Sequence, residues 1–323
     1  MIHKLKTFLE NKNIPFESNV CLKKKTWIHR GGMCSVFITP TNSDDLSFII
    51  QFLYKKSIQF LLVGHTSNLY ILNGCNIPVI VSTSKCNKYH ITGNSIICEG
   101  GVGVSRMAKD MSKQGIAGFE YLHELPGTIG AAIYNNSSCY SNSISALLIN
   151  AEVITKDGEI KILKPEDFDF KFRTSIMKEK RLNGVITRVT LKLERGDANE
   201  FEKLALKTKE SRKKNLEGNA KNLGCTVNRC FINGKMPFRY LLPFKIYNIF
   251  LKLTEKDKSA RKSKSKSFIC KISGYSNIAK YISDKNMIVY MWLDEGADAA
   301  FPDYLEFMRK VYKTDKIEIE VIK

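Results

Sequence analysis

Two hydrophobic periods alternate along the chain. Between Asp44 and Lys56 apolar residues recur at Leu46, Ile49, Ile50 and Leu53, the spacing of a helix with one buried stripe, and Ser43 stands where a capping hydroxyl is expected. The run QFLLVG follows at once and predicts a short strand ending at Gly64. YHITGNSIICEG predicts two strands reversing at Gly93-Asn94, and GVGVSRMAKDMSKQG a glycine-rich turn that opens a helix stopping at Gly115. ALLINAEVITKDGEIKIL predicts a hairpin turning at Asp157-Gly158, and GVITRVTLKLE alternates like a further strand. Strands with one or two helices make the middle of the chain an α+β pattern.

Beyond Arg195 the pattern changes. Lysine-rich, helix-like sequence runs to about Leu216, a polar loop holding NLGCTVNR follows, and FRYLLPFKIYNIFLKLT is apolar with interspersed cations. The low-complexity run SARKSKSKS at Ser259–Ser267 predicts a mobile loop. A helix over DYLEFMRKVYK and a strand over IEIEVI close the chain. These changes place domain boundaries near residues 85 and 198, giving segments 1–85, 86–198 and 199–323.

The chain has 323 residues, 43% of them hydrophobic, enough to bury the cores of two or three domains. The opening MIHKLKTFLENKNIPF breaks each apolar run with Lys, Glu or Asn, so it predicts no signal peptide, and no apolar run is long enough to span a bilayer; a cytoplasmic location is expected. Of the 51 Lys and Arg, 19 lie between Lys203 and Lys271 against four acids, so that segment is expected to meet something anionic. The nine cysteines form no CxxC and no Cys/His cluster, which argues against a zinc site and a disulfide framework; no metal is expected, and most cysteines read as core filler.

The candidate chemistry lies in three glycine-bearing loops: Gly64–Asn68 (GHTSN), Gly100–Gly103 (GGVG) and Pro126–Gly130 (PGTIG). Glycine lets a backbone approach a bulky anion, and hydroxyls with exposed N–H groups supply the hydrogen bonds a diphosphate needs. The chain contains neither a GxGxxG followed by a helix and a ribose-binding acid nor a GxxxxGK[ST] motif, so it carries no Rossmann fingerprint and no P-loop.

In order, VGHTSNLYI, EGGVGVSRMAKDMSKQGIAGFEYLHELPGTIGAAIYNNSSCY, FDFKFRTS and NLGCTVN resemble the UDP-N-acetylenolpyruvoylglucosamine reductase family over about residues 27 to 230. The resemblance implies a two-subdomain FAD-binding fold of the vanillyl-alcohol oxidase type plus a C-terminal α/β substrate domain. It implies FAD held at Gly64, His65, Thr66, Ser67 and Asn68, with Gly101, Gly103, Val104, Pro126, Gly127, Thr128, Gly130, Ala131 and Asn135 lining the flavin. The family binds FAD noncovalently; His65 is the residue through which a covalent link is conceivable.

Arg173 matches the family's active-site arginine, a permanently charged group suited to stabilise negative charge developing toward a carboxylate. The tyrosine that precedes it in the family is Phe172 here. Glu320 is the best match for the family's C-terminal carboxylate, with Glu318 as the fallback on the same strand face. Cys225 falls where the family carries a proton-donating serine, and a protonated thiol can do the same work. The chain departs just beyond it, with Thr226, Val227, Asn228 and Arg229 in place of a phenylalanine-lysine-asparagine-proline run. Arg212, Asn228 and Arg229 are the substrate-binding candidates.

The resemblance thus implies an FAD-dependent NAD(P)H reductase of an enolpyruvyl group on a UDP-amino sugar, for cell-wall or surface-polysaccharide synthesis, with FAD and NADPH as the expected cofactors and NADH left open as the reductant. It has two rivals: an FAD-dependent alcohol or sugar oxidase or dehydrogenase of the same fold, and a basic nucleic-acid or membrane-surface binding protein with a vestigial flavin site. A UDP-sugar is the expected partner, nucleic acid is not, and residues 256–266 are the candidate for peripheral contact with an anionic membrane.

Overall fold

The computed structural model describes residues 2–139, 142–215, 217–218, 220–227 and 236–323. In chain order the elements are α1 (Ile2–Asn11), β1 (Phe16–Cys21), β2 (Met33–Ile38), α2 (Ser43–Lys55), β3 (Leu61–Val63), β4 (Leu69–Ile71) and β5 (Asn76–Ser82). Then come β6 (Tyr89–Thr92), β7 (Ser95–Glu99), α3 (Val104–Lys113), α4 (Ile129–Asn135), β8 (Ser138–Cys139), β9 (Asn142–Ser143), β10 (Leu148–Thr155), β11 (Ile160–Leu163) and β12 (Gly184–Lys192). The last are α5 (Ala198–Asn215), β13 (Asn222–Cys225), α6 (Phe238–Thr254), α7 (Lys258–Ile272), β14 (Val289–Met291), α8 (Gly296–Tyr312) and β15 (Glu320–Ile322). The fold is α+β, and the chain divides into two compact units.

The first unit comprises residues 1–25, 32–66 and 74–211. It holds a mixed sheet of order β1-β2-β5-β3, in which β2, β5 and β3 run parallel. Strand β5 is a near-continuous apolar run because both its faces are covered, the usual state of a parallel strand; Val79, Ile80 and Val81 are all buried. The predicted stripe of α2 packs on this sheet, with Leu46, Ile49, Ile50 and Leu53 in one core with Val36, Ile38, Val79 and Val81. The helix is capped by Asn42, one residue before the expected Ser43: the Asn42 side chain accepts from Asp45 N, and Ser43 opens the helix instead.

A second, antiparallel sheet of order β11-β10-β12-β7-β6 carries both predicted hairpins, turning at Gly93 and at Asp157-Gly158. Helices α3 and α4 pack on it, so that Met107, Met111, Ile129 and Ile133 share a core with Ile96, Val189 and Leu191.

The second unit comprises residues 26–31, 67–73 and 212–323. Its core is an aromatic cluster in which Tyr290 lies 5.1 Å from Trp292, 5.2 Å from Phe301 and 4.9 Å from Tyr304, ring centre to ring centre. The two short excursions of chain are stitched in by one carboxylate: Asp298 accepts from Tyr70 Oη at 2.8 Å and from Asn73 Nδ2 at 2.8 Å, and pairs with Arg30 Nε at 2.8 Å. Strand β4 pairs in parallel with β15, and β13 pairs antiparallel with β14.

The run Ser259–Ser267, expected as a mobile loop, is helical within α7. Its Ser-Lys alternation hides the helix because the anchoring residues lie outside the repeat. Asp257 caps the first turn by accepting from Ser259 N and Ala260 N, and Ile269 and Cys270 are fully buried. Lys266 is buried too, donating to Ile282 O at 2.6 Å and pairing with Asp284 at 2.7 Å, which removes it from any surface offered to an anion. The C-terminal helix likewise starts earlier than DYLEFMRKVYK suggests, at Gly296, and buries Ala297, Ala300 and Phe301 in its added turns. Among the described residues no helix is long and apolar enough to cross a membrane.

Candidate functional site

In the first unit the Gly100–Gly103 and Pro126–Gly130 loops meet through their backbones. Val104 N donates to Gly127 O at 3.0 Å, Ile129 N to Val102 O at 2.8 Å and Gly130 N to Gly100 O at 2.8 Å, while Gly103 and Thr128 form a bridge pair. The loop after β3 joins them: a Cβ on Gly64 would stand 2.7 Å from Thr128 Oγ1, and one on Gly103 3.2 Å from His65 Cε1. Gly127 has φ +110°, a conformation for which glycine is suited, and it follows Pro126. Thr128 then caps α4, its hydroxyl accepting from Ala131 N at 3.5 Å. Crowding by the neighbouring loops lowers the His65 imidazole from its ordinary range, opposed by its hydrogen bond with the Gly127 backbone, while the residue as a whole stays exposed.

Beside Gly64, His65 and Thr66 lies a cavity of about 630 Å³, within the range of small-ligand sites. It opens where β2, β3 and β5 end, the carboxyl edge at which open α/β sheets bind ligands. Thr39, Thr41, Ser82, Ser84, Lys25 and Lys85 also line it, giving hydroxyls and cations suited to a polar, anionic ligand. Ser82 and Ser84 hydroxyls lie 3.0 Å apart, and Lys25 pairs with Glu17 at 2.6 Å. These six residues escaped the reading of the sequence. For all but Lys25 the signal is that the apolar runs MCSVFI and NIPVIVS pass directly into the hydroxyl-bearing segments TPTNS and TSK.

Helix α4 connects this cluster to the turn holding Arg173. Asn136, which caps the far end of α4 with φ +43°, donates from Nδ2 to Lys171 O at 2.8 Å, and Ser175 Oγ donates to Tyr134 O at 2.6 Å. Arg173 sits in the turn with φ +59°, its carbonyl accepting from Lys178 Nζ at 3.1 Å, and Phe172 beside it is exposed. Seven residues of helix set the two ends of α4 about 9 Å apart. Asn135 therefore lies toward the Arg173 end, its Nδ2 donating to Ala131 O at 2.9 Å and its Oδ1 buried without a hydrogen-bond partner among the described residues.

The second unit gathers the remaining candidates. Cys225 ends β13, half-buried, with Asn286 Nδ2 at 4.0 Å from its sulfur. The next residue, Thr226, is fully buried and accepts at its carbonyl from Glu318 N at 2.8 Å. Glu320 N donates to Asn68 O at 2.9 Å, and Asn68 Nδ2 to Glu318 O at 3.2 Å. Glu318 and Glu320 are both half-buried and flank the buried Ile319, but the strand expected over IEIEVI begins only at Glu320 and the chain bends at Ile319, so the strand argument for a shared face does not extend to Glu318. The Cys225 strand, the Glu318–Glu320 segment and Asn68 thus form one hydrogen-bonded weave, with Ser67 continuing the chain from Thr66 into it. Arg212 lies half-buried in the last turn of α5, and Asn228 and Arg229 lie outside the described residues.

Among the described residues no group of three His, Cys, Asp or Glu could hold a metal ion. Burial pushes the thiols of Cys86 and Cys270 up to about 12 and raises those of Cys34 and Cys98, which leaves these four as unreactive packing.

A family profile described as an FAD binding domain matches residues 34–164. The chain is 31% identical over 195 residues to UDP-N-acetylenolpyruvoylglucosamine reductase of Clostridium novyi, covering 60% of this chain and 62% of that one. It is 30% identical over 197 residues to the enzyme of the same name from Bacillus subtilis, covering 61% and 65%. The chain thus spans under two thirds of the length of these curated relatives. The crystal structure of UDP-N-acetylenolpyruvylglucosamine reductase from Thermus caldophilus shares the fold, with a TM-score of 0.67 at 18% identity over 96% of this chain and 100% of that one.

Proposed function

We propose that the chain is a member of the UDP-N-acetylenolpyruvoylglucosamine reductase family, to which its FAD binding domain match, its curated relatives and its fold point, and that it is an FAD-dependent reductase. It takes reducing equivalents from NADPH and reduces the enolpyruvyl group of a UDP-amino sugar, in the cytoplasm, for cell-wall or surface-polysaccharide synthesis. The observation that carries the reading is the cluster in which the backbone-linked loops Gly100–Val104 and Pro126–Ala131 lie against Gly64–Thr66, beside the cavity at the carboxyl edge of the parallel sheet.

The residues present fit FAD. The loops approach so closely that side chains at Gly64 or Gly101 would collide with their neighbours, the cavity walls supply hydroxyls and lysines, and the buried Oδ1 of Asn135 is an acceptor still lacking a donor. Bound there, FAD supplies hydride transfer, while the protein supplies position and charge. Gly64, His65, Thr66, Ser67 and Asn68 hold the diphosphate; Gly101, Gly103, Val104, Pro126, Gly127, Thr128, Gly130, Ala131 and Asn135 line the flavin. Arg173 stabilises negative charge on the substrate carboxylate, Cys225 donates the proton and Glu320 orients the acceptor. Arg212, Asn228 and Arg229 serve the nucleotide sugar. Domain boundaries near 85 and 198 belong to the same reading.

The protein is expected to purify yellow and to release all its flavin on acid precipitation, as noncovalent binding requires. A colourless protein that gains no flavin absorbance on reconstitution would overturn the reading; flavin retained in the pellet would show a covalent link.

A further inference from the structure

Helix α6 is apolar on two faces. Tyr240 and Leu251 are buried, Phe244 packs against the core and Tyr247 stacks on Phe268 of α7 at 4.1 Å. At 100° per residue these four cluster on one side. Phe238, Leu242, Ile246, Ile249, Phe250 and Leu253 fall on the other side, and all are exposed, Phe238 at 73% and Leu253 at 82%. A helix that is apolar all round is ordinarily enclosed, so half of this one requires a cover. Scattered exposed apolar residues are normal, whereas a continuous stripe over four turns marks an interaction site.

The charge around the stripe selects the cover. From Phe238 to Ile272 the chain carries ten Lys or Arg and two acids. Both acids are engaged, Glu255 with Lys264 at 2.6 Å and Asp257 in capping α7. Lys245 and Lys252 border the stripe and Arg239 stands within it, and all three are exposed. A second copy seated face to face would bring these cations together with no acid on α6 to pair them. Nucleic acid would meet the cations and leave the aliphatic stripe in water. An apolar stripe bordered by cations is the form of a helix that lies in a membrane interface.

We propose that the α6–α7 hairpin docks peripherally on an anionic phospholipid bilayer, with the outer stripe of α6 in the acyl boundary and the neighbouring lysines among the headgroups. This moves the membrane contact from the lysine run at 256–266, in which Lys266 is buried, to α6. It stands apart from the reductase reading.

The test is co-sedimentation of the 323-residue protein with vesicles of phosphatidylcholine alone or mixed with phosphatidylglycerol. Binding is expected to be much stronger to the acidic vesicles, and it should fall toward the phosphatidylcholine level between about 0.1 M and about 1 M salt, where exposed charge is screened over ~10 Å and ~3 Å respectively. The triple variant Ile246→Ser, Phe250→Ser, Leu253→Ser should lower the partition coefficient roughly 100-fold, with melting temperature and flavin content unchanged. Three results would overturn the proposal: equal binding by the triple variant, no binding of the parent to acidic vesicles, or a parent dimer in sedimentation velocity that this variant dissociates.

Discussion

Replacing Cys225 with Ala is expected to slow oxidation of the reduced holoprotein by its enolpyruvyl substrate by roughly 10²- to 10⁴-fold, the usual loss when a general acid is removed. Reduction of the bound FAD by NADPH should stay near the parent rate. Cys225 is half-buried at the end of β13, and the residue after it is fixed by the hydrogen bond from Glu318 N to Thr226 O. That linkage ties the thiol's backbone to the strand carrying Glu320. Cys225→Ser should keep substantial activity, because a hydroxyl is also a donor and nearly the same size. The thiol also packs against the aromatic core, and a pure packing role predicts a different result. Ala would then cost about 1 kcal/mol of stability and disturb both half-reactions alike. Stopped-flow traces of the two separate these outcomes, and equal slowing of both would remove Cys225 from the chemistry.

Gly101→Ala is expected to be the most damaging single substitution in the flavin cluster. A Cβ there would lie 1.8 Å from Thr83 O and 2.5 Å from Cys86 O. Both are backbone atoms of the segment that follows β5, so no side chain can swing aside and the two loops must part. Overpacking against a fixed backbone costs roughly 3 kcal/mol or more. The expected result is a large fall in the urea midpoint together with loss of bound flavin. Gly74→Ala is the control: no atom lies within 4 Å of the Cβ it would add, and its effect should stay within about 0.5 kcal/mol. If Gly101→Ala matched this control, the close approach of the two loops would be wrong.

What could be read from the sequence was local. The hairpins at Gly93-Asn94 and Asp157-Gly158 carry their own turn residues, and the α2 stripe repeats at helical spacing, so each is legible within a short window. The α7 helix was missed because SARKSKSKS has no apolar period; its cap at Asp257 and its anchors at Ile269 and Cys270 lie outside the run. The glycine loops could be recognised one by one, yet the hydrogen bonds joining Val104 to Gly127 and Gly130 to Gly100 need the fold. The cavity wall was less legible still, since Lys25, Thr39 and Ser84 come from separate strand ends that only the sheet brings together. The same holds for α6: the sequence shows an apolar helix, and only packing decides which face remains outside.

The central claim is that the bound flavin passes its hydride to an enolpyruvyl UDP-sugar. Its most direct test is anaerobic mixing of the NADPH-reduced holoprotein with UDP-N-acetylglucosamine enolpyruvate, following the return of flavin absorbance and the UDP-sugar formed. The account predicts reoxidation on the order of 1–10³ s⁻¹, typical of enzyme turnover, with one UDP-N-acetylmuramate formed per flavin. A flavin that stays reduced with this substrate, while the oxidised holoprotein is bleached by a simple alcohol or sugar, would contradict it.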